Sequence, residues 1–527
     1  MFRILITDKL GDAGLQRLEE AEDAAYEMNT DLSREELLEV IPGYDALIVR
    51  SGTKVDAGVL EAGERLQVVG RAGIGVDNID VRAATRRGIV VMNTPHANAV
   101  ATAEQTMTLM LALSRHTAPA HASLKAGEWR RSDFVGVELY DKILGIIGFG
   151  RIGRLVAQRA QAFGMDVLAY DPYVPEEVGQ EMGVSLVPLE ELLPQADYLT
   201  LHSVVTPETE KMINAGTIAQ MKEGVRLVNV ARGKLIDEQA LADALQSGAV
   251  AGAAVDVYSQ EPPQDNPMLQ APKVLHTPHL GASTIEAQRA VATEIVAQVL
   301  DALRGGGFRN ALNMPFPAGP EVAAARPFME LGEKMGALLD ALAPDSIRQV
   351  EVTVEGDQAD DLVRPVAAAV LKGILQRSLS VPVNDINAHL LAEDRDITVS
   401  QTAGLAPADY PTLVSSRARW EGGQHTLTGA LFGDGRPRIV QIDDAQVNAS
   451  PEGTVLIIRS DDTPDVLGQV GTVFAAYDVG IAAWHMERKE PGKEAFSFVN
   501  LDGVPPEGLL QALEKIPAVT ALNVAAL

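Results

Sequence analysis

At 527 residues the chain exceeds what one hydrophobic core can serve, and at roughly 100–200 residues per domain it should hold about three or four. With 46% hydrophobic and 22% charged residues, and no apolar run near the roughly 18 needed to cross a bilayer, it reads as a globular chain rather than a membrane one. The lack of cysteine excludes disulfides, thiolate metal sites and thiol nucleophiles, and a formal charge of −28 argues against nucleic acid or an anionic membrane as partner.

The N-terminus, MFRILITDKLGD, reads as a strand and a polar turn rather than a secretory leader, so a cytoplasmic location is expected. From Phe2 to about Asn93, short β-rich runs (RILIT, ALIVR, QVVGRAG, IVVMN) alternate with helical patterns, the signature of a parallel α/β layer. A second layer begins at KILGIIGFGRIGRLVAQRAQAFGMDVLAYD, a βαβ unit whose Ile152, Leu155, Val156, Ala160 and Phe163 recur at helical spacing.

Inside that unit Gly148, Gly150 and Gly153 form GFGRIG between strand and helix. Gly148 permits the tight turn, Gly150 lets a pyrophosphate approach the backbone, and Gly153 allows close helix–strand contact. The helix N-terminus adds free N–H groups and a positive dipole. Asp171, closing the next strand, can bind both ribose hydroxyls and repels a 2′-phosphate, so NAD is expected rather than NADP.

Hydride removal from a hydroxy acid needs a cation for the carboxylate, a base for the hydroxyl proton and a partner that tunes the base. Three later segments offer them: Arg232 after the apolar strand of VNVARG, Glu261 on the proline-stiffened loop YSQEPP, and His279 in HTPHLGAST. Alone, each has an ordinary structural reading; a guanidinium at a strand's carboxyl end does suit a bidentate carboxylate pair. No metal site is expected.

Gly305 to Gly307, with Pro315 and Pro317, mark a linker. Residues 318–450 begin with a helical pattern (ARPFMELGEKMGALLDAL) and continue in strand-like runs without a reactive constellation. Residues 454–527 read strand (TVLIIR), helix, strand (IAAWHMER), strand (AFSFVNL), helix (PPEGLLQALEKI) and strand (VTALNVAAL), a ferredoxin-like split βαβ order.

The blocks GRAGIGVDNID, LGIIGFGRIG, LHSVVTPET, LVNVARGKLIDEQAL, GAAVDVYSQEPP and TPHLGAST, in that order, resemble the D-isomer-specific 2-hydroxyacid dehydrogenase family. The resemblance implies that Arg232 binds the carboxylate and carbonyl, His279 is the acid/base, and Glu261 pairs with its imidazole. It also implies Arg151 and Ile152 at the pyrophosphate, Ser203 and Val230 along the cofactor, and Asp256 near the nicotinamide carboxamide. His202 and His276 find no counterpart and read as structural.

The implied architecture is α/β: a flavodoxin-like substrate domain (1–98 and 283–310) with a Rossmann-type NAD domain (99–282) inserted, the active site lying in the cleft. The match extends to the family's long-form branch that oxidises D-3-phosphoglycerate, which adds an α+β intervening domain (318–450) and a ferredoxin-like ACT regulatory domain (454–527). In that branch Arg50 and Ser51 align with phosphate-side residues, Asn98 with another substrate contact, and Arg131 with a basic group reaching from a neighbouring subunit. A dianion bound by so acidic a protein does need local arginines.

The expectation is therefore a homodimer or homotetramer taking a phosphorylated hydroxy acid, at the first step of the phosphorylated route to L-serine. The alternatives are a dehydrogenase of glyoxylate or hydroxypyruvate and a non-catalytic NAD-sensing regulator. At the ACT-like end the chain departs from the pattern. Asp462 stands where asparagine is common, Asp465 where glycine is, and Gly480 replaces a ligand-binding asparagine, so amide donors for an amino acid's carboxylate are lost.

Overall fold

The structure is a computed structural model describing residues 1–316, 321–356, 358–379, 381–405, 410–433, 435–488 and 493–527; Pro317 of the linker lies outside them. Two compact units emerge: one holds residues 1–9, 18–93 and 295–527, the other 10–17 and 94–294.

The first unit opens with five strands, β1 (Phe2–Ile6), β2 (Ala24–Met28), β3 (Ala46–Val49), β4 (Val68–Arg71) and β5 (Val90–Met92). They pair in parallel in the order β2-β1-β3-β4-β5, the flavodoxin-like arrangement. All four residues of β3 are buried, as expected of a strand covered on both faces. β2 is the strand that the sequence pattern missed: AAYEM sits at the sheet edge, half-buried or exposed throughout, and carries no apolar run. The helix Ile285–Leu303 brings Ile295 and Val299 back onto β4, where a Cβ on Gly70 would meet Val299 Cγ2 at 2.7 Å, so only glycine admits the contact.

The second unit carries seven parallel strands, β6 (Ile143–Ile147), β7 (Asp166–Tyr170), β8 (Ser185–Leu186), β9 (Tyr198–Leu201), β10 (Val225–Asn229), β11 (Val250–Val255) and β12 (Val274–His276). Their order, β12-β11-β10-β9-β6-β7-β8, places the reversal of winding at β6 and β9, where doubly wound sheets bind their ligands.

The remainder of the first unit holds two further sheets. A mixed six-stranded sheet runs β14-β13-β15-β16-β17-β18, with β13 (Gln349–Gly356), β14 (Thr398–Gly404), β15 (Thr412–Trp420), β16 (Gly423–Phe432), β17 (Arg436–Ile442) and β18 (Ala445–Ala449). Helices Glu321–Leu342 and Ala359–Leu375 pack closely enough that a Cβ on Gly336 would lie 2.1 Å from the carbonyl of Val370. The last sheet, β20-β21-β19-β22, is antiparallel and comprises β19 (Thr454–Asp461), β20 (Ile481–Arg488), β21 (Glu494–Leu501) and β22 (Val519–Ala526). Its two helices bury Val470, Phe474, Leu509 and Leu513 against Leu456 and Val499, completing the ferredoxin-like sandwich. No helix among the described residues is long and apolar enough to cross a membrane.

The departures at this end have a structural counterpart. A Cβ on Gly480 would lie 2.0 Å from Asp502 Oδ2, so that carboxylate occupies the space of any larger side chain at 480. Asp462 is nearly enclosed and stands 3.7 Å from the Arg488 guanidinium. Carboxylates in place of amide donors repel the carboxylate of an amino acid. Millimolar L-serine is therefore expected to leave turnover unchanged and to give no heat in a calorimetric titration; saturable inhibition would contradict this.

Candidate functional site

The dinucleotide turn is shaped by its glycines. Gly148 sits at φ 95°, and a Cβ there would meet the carbonyl carbon of His202 at 2.6 Å. A Cβ on Gly153 would lie 2.2 Å from the carbonyl oxygen of Gly148, which is the close helix–turn contact expected of it. Gly150, the N-cap of helix Arg151–Ala162, faces open space instead, leaving room for an anion above the helix's free N–H groups. Asp171 braces the turn from beyond β7: its Oδ2 accepts the N–H of Phe149 (2.9 Å) and its Oδ1 that of Tyr173 (3.0 Å). Arg151 is exposed and Ile152 half-buried on the first turn of the helix. The Ser203 hydroxyl donates to the carbonyl of Ile147 (3.3 Å), and Val230 is buried just past β10. These residues fit a dinucleotide.

The same unit assembles the charged trio. The fully buried Asn229 ends β10 and ties down the segment after it: its Nδ2 donates to the carbonyl of Arg232 (2.9 Å), while its Oδ1 accepts the N–H of Ala231 (3.0 Å). The Arg232 guanidinium donates to the Ala231 carbonyl at 2.7 Å. Gly233 must be glycine, because a Cβ would stand 1.9 Å from the carbonyl carbon of Tyr258. That close approach sets the 258–261 loop beside Arg232. There the Tyr258 N–H donates to Glu261 Oε1 (3.1 Å), and Glu261 Oε2 meets His279 Nδ1 at 2.6 Å. Burial raises the Glu261 pKa, but the His279 hydrogen bond and charge, the Tyr258 N–H and the Arg232 charge outweigh it and hold the carboxyl below its ordinary range.

His279 and Glu261 are both partly exposed, as groups meeting a substrate must be. His276 lies behind them: its Nδ1 pairs with the Tyr258 hydroxyl (3.1 Å), and burial lowers its pKa. Tyr258 itself is pushed up to about 12 by burial and by the carboxylates Asp256, Glu261 and Glu238. His202 bonds Thr200 through Nε2 (3.1 Å), and burial pulls it down to about 3. Both rings are neutral props. Among the described residues no group of three or more His, Cys, Asp or Glu is placed to hold a metal.

Asn98 caps the helix Ala99–Ser114 with its buried Oδ1 lacking a partner among the described residues. Arg131 is exposed in the short helix Arg131–Phe134; the nearby carboxylates Glu128 and Asp133 go to Arg130 instead. In the first unit Arg50 and Ser51 follow β3 on a loop strapped from both sides. Asp8 accepts the N–H groups of Arg50 (2.7 Å) and Thr53 (3.2 Å), and Asn78 Nδ2 donates to the carbonyls of Arg50 (2.8 Å) and Thr53 (2.6 Å). Arg71, overlooked in the sequence as part of a strand, ends β4 in register with Val49 and so joins Arg50 at this sheet's carboxyl edge.

Comparison with known proteins agrees with these features. Residues 107–281 match the NAD-binding domain of the D-isomer-specific 2-hydroxyacid dehydrogenases, and residues 324–443 match the D-3-phosphoglycerate dehydrogenase intervening domain. D-3-phosphoglycerate dehydrogenase of Methanocaldococcus jannaschii is 42% identical over 520 residues, 98% of each chain. That of Synechocystis is 39% identical over 98% of this chain and 94% of its own. Among solved structures, the Aquifex aeolicus D-lactate dehydrogenase with NAD and lactic acid superposes with a TM-score of 0.53 at 28% identity, over 57% of this chain and 96% of that one.

Proposed function

The chain belongs to the D-3-phosphoglycerate dehydrogenases of the D-isomer-specific 2-hydroxyacid dehydrogenase family, and on that premise we propose how its residues share the reaction. It oxidises D-3-phosphoglycerate to 3-phosphohydroxypyruvate with NAD, opening the phosphorylated route to L-serine. The observation that supports the division of roles is the 2.6 Å contact between His279 Nδ1 and Glu261, with Arg232 alongside.

With Nδ1 engaged by Glu261, Nε2 is the free nitrogen of neutral His279 and takes the C2 hydroxyl proton. Glu261, ionised at neutral pH, stabilises the imidazolium that results. Arg232 pairs with the substrate carboxylate in bidentate fashion and keeps C2 in place. The turn from Gly148 to Gly153, with Arg151 and Ile152, holds the cofactor pyrophosphate; Asp171 takes the adenosine ribose, and Ser203, Val230 and Asp256 flank the nicotinamide half. Bound there, NAD would supply the acceptor for the hydride that leaves C2.

Arg50 and Ser51 take the phosphate end, Asn98 makes another substrate contact, and Arg131 reaches the phosphate from a neighbouring subunit, which requires at least a homodimer. We place this assembly in the cytoplasm. The test is NADH formation from D-3-phosphoglycerate and from D-glycerate, in the wild type and in Arg50→Ala. Losing one charge-assisted contact of roughly 1.5–3 kcal/mol should lower kcat/KM for the phosphorylated substrate about 10- to 100-fold, and far less for D-glycerate. A wild type that takes D-glycerate equally well would instead favour an unphosphorylated substrate.

A further inference from the structure

β14 is one margin of the mixed six-stranded sheet: β13 lies on one side of it, and among the described residues no strand pairs on the other. Alternate residues of such a strand turn their N–H and C=O away from the sheet, which makes it a template for another chain. Natural edges are ordinarily blunted by charge, proline or a covering element. From Ile397 to Leu405 the sequence reads ITVSQTAGL, with no charged residue and no proline, and Thr398, Ser400, Gln401, Thr402 and Ala403 are all exposed. In a chain of formal charge −28, a neutral strip is where two copies can approach with least repulsion.

The two faces of β14 differ. Val399 packs on the core beneath the sheet, and Gln401 reaches His389 of helix Ala388–Glu393 (3.3 Å), so the odd-numbered residues face the helices. Alternation carries Leu405, just past the strand, to that same side, where it is 92% exposed. A cavity of about 420 Å³ opens there too, with Pro315, Ile386, Leu390, Ile397 and Val399 among its walls. An apolar knob thus stands at one end of the strand and an apolar hollow at the other.

We propose that β14 pairs with β14 of a second copy of this chain, antiparallel about a two-fold axis at Gln401, so that each Leu405 seats in the hollow of the other copy. This register pairs all seven residues of the strand, setting Ser400 opposite Thr402, Val399 opposite Ala403 and Leu405 opposite Ile397. It adds about six to eight backbone hydrogen bonds between the copies. A slip of one residue would put the helices of the two copies on opposite faces and carry Leu405 away from the hollow. A peptide of another protein would have to give up its own conformational freedom on binding, whereas both strands here are already ordered. Arg131 belongs to the other unit, so β14 is a second contact, and two isologous contacts per chain give a dihedral tetramer.

Sedimentation velocity of the full chain reads the pairing. In Ser400→Lys/Thr402→Lys, like charges oppose each other across the axis, so the mass of the assembly should halve while turnover per subunit and thermal unfolding are retained. Leu405→Ala, which leaves the strand itself untouched, should raise the dissociation constant about 10- to 100-fold, the worth of one buried leucine. Because the chain has no cysteine, Gln401→Cys introduces a single thiol. Opposed Cα atoms on the axis lie about 4.5–5.5 Å apart, within reach of a disulfide, so mild oxidation should yield a covalent dimer. Thr353→Cys, on the inner neighbour β13, should not.

Hydrogen exchange of the wild type adds a readout without substitution: every amide of residues 398–404 should be protected rather than alternate ones alone. A monomeric wild type, or a mass unchanged by the paired lysines, overturns the proposal. Protection of every amide with the mass unchanged would mean that a segment of the same chain covers the edge, which overturns it equally.

Discussion

His279→Ala should lower the turnover of D-3-phosphoglycerate on the order of 10³-fold, within the range that a positioned general base contributes. NADH binding should hardly change, because the dinucleotide turn is built from Gly148, Gly150, Gly153 and Asp171, which His279 does not touch. The geometry favours one base. His276 is tied to Tyr258 and His202 to Thr200, and burial makes both rings weaker bases, so neither can stand in for the missing imidazole. Steady-state kinetics beside a fluorescence titration of NADH measures both halves; a variant within tenfold of the wild type would send the search to another proton acceptor.

Arg232→Ala is expected to be nearly as damaging, with kcat/KM lowered about 10²- to 10³-fold, because truncating one partner of a charged pair costs roughly 2–5 kcal/mol. The loss should fall on kcat as well as KM, since the guanidinium also fixes where C2 sits. Arg232→Lys keeps the charge without the planar fork and should recover only a small part of the activity. The backbone here is braced by Asn229 and by the approach of Tyr258 to Gly233, so the fold should survive the change, with thermal unfolding as the control. Full activity in Arg232→Lys would mean that the substrate carboxylate is held elsewhere.

What the sequence disclosed was local. GFGRIG lies between a strand and a helix within one short stretch, and Asp171 directly follows the very next strand, so periodicity and spacing carry the whole motif. The C-terminal sandwich was readable for the same reason, with each strand and helix forming its own apolar run. The edge strand β2 was not, because AAYEM has neither an apolar run nor alternation. The hydrogen bonds from Asp256 to the loop that carries His279 were not either. Asp256 meets partners 21 to 25 residues onward, and nothing in GAAVDVYSQEPP marks one aspartate as enclosed and the next acidic residue as partly exposed. Arg71 was read as strand residue alone, and only the register with Val49 brings it to Arg50.

The return of helix Ile285–Leu303 onto β4 bears on how the chain is made. Ile295 and Val299 complete the cover over Gly70, yet they leave the ribosome about 200 residues after β5. At the ordinary pace of synthesis, roughly 5–20 residues per second, the first sheet waits on the order of 10–40 s with that face open. During this wait the nascent protein shows apolar strands to the cell while its second sheet is still being produced, which is the interval in which a holding chaperone would matter most and in which a truncated message would yield an aggregating fragment.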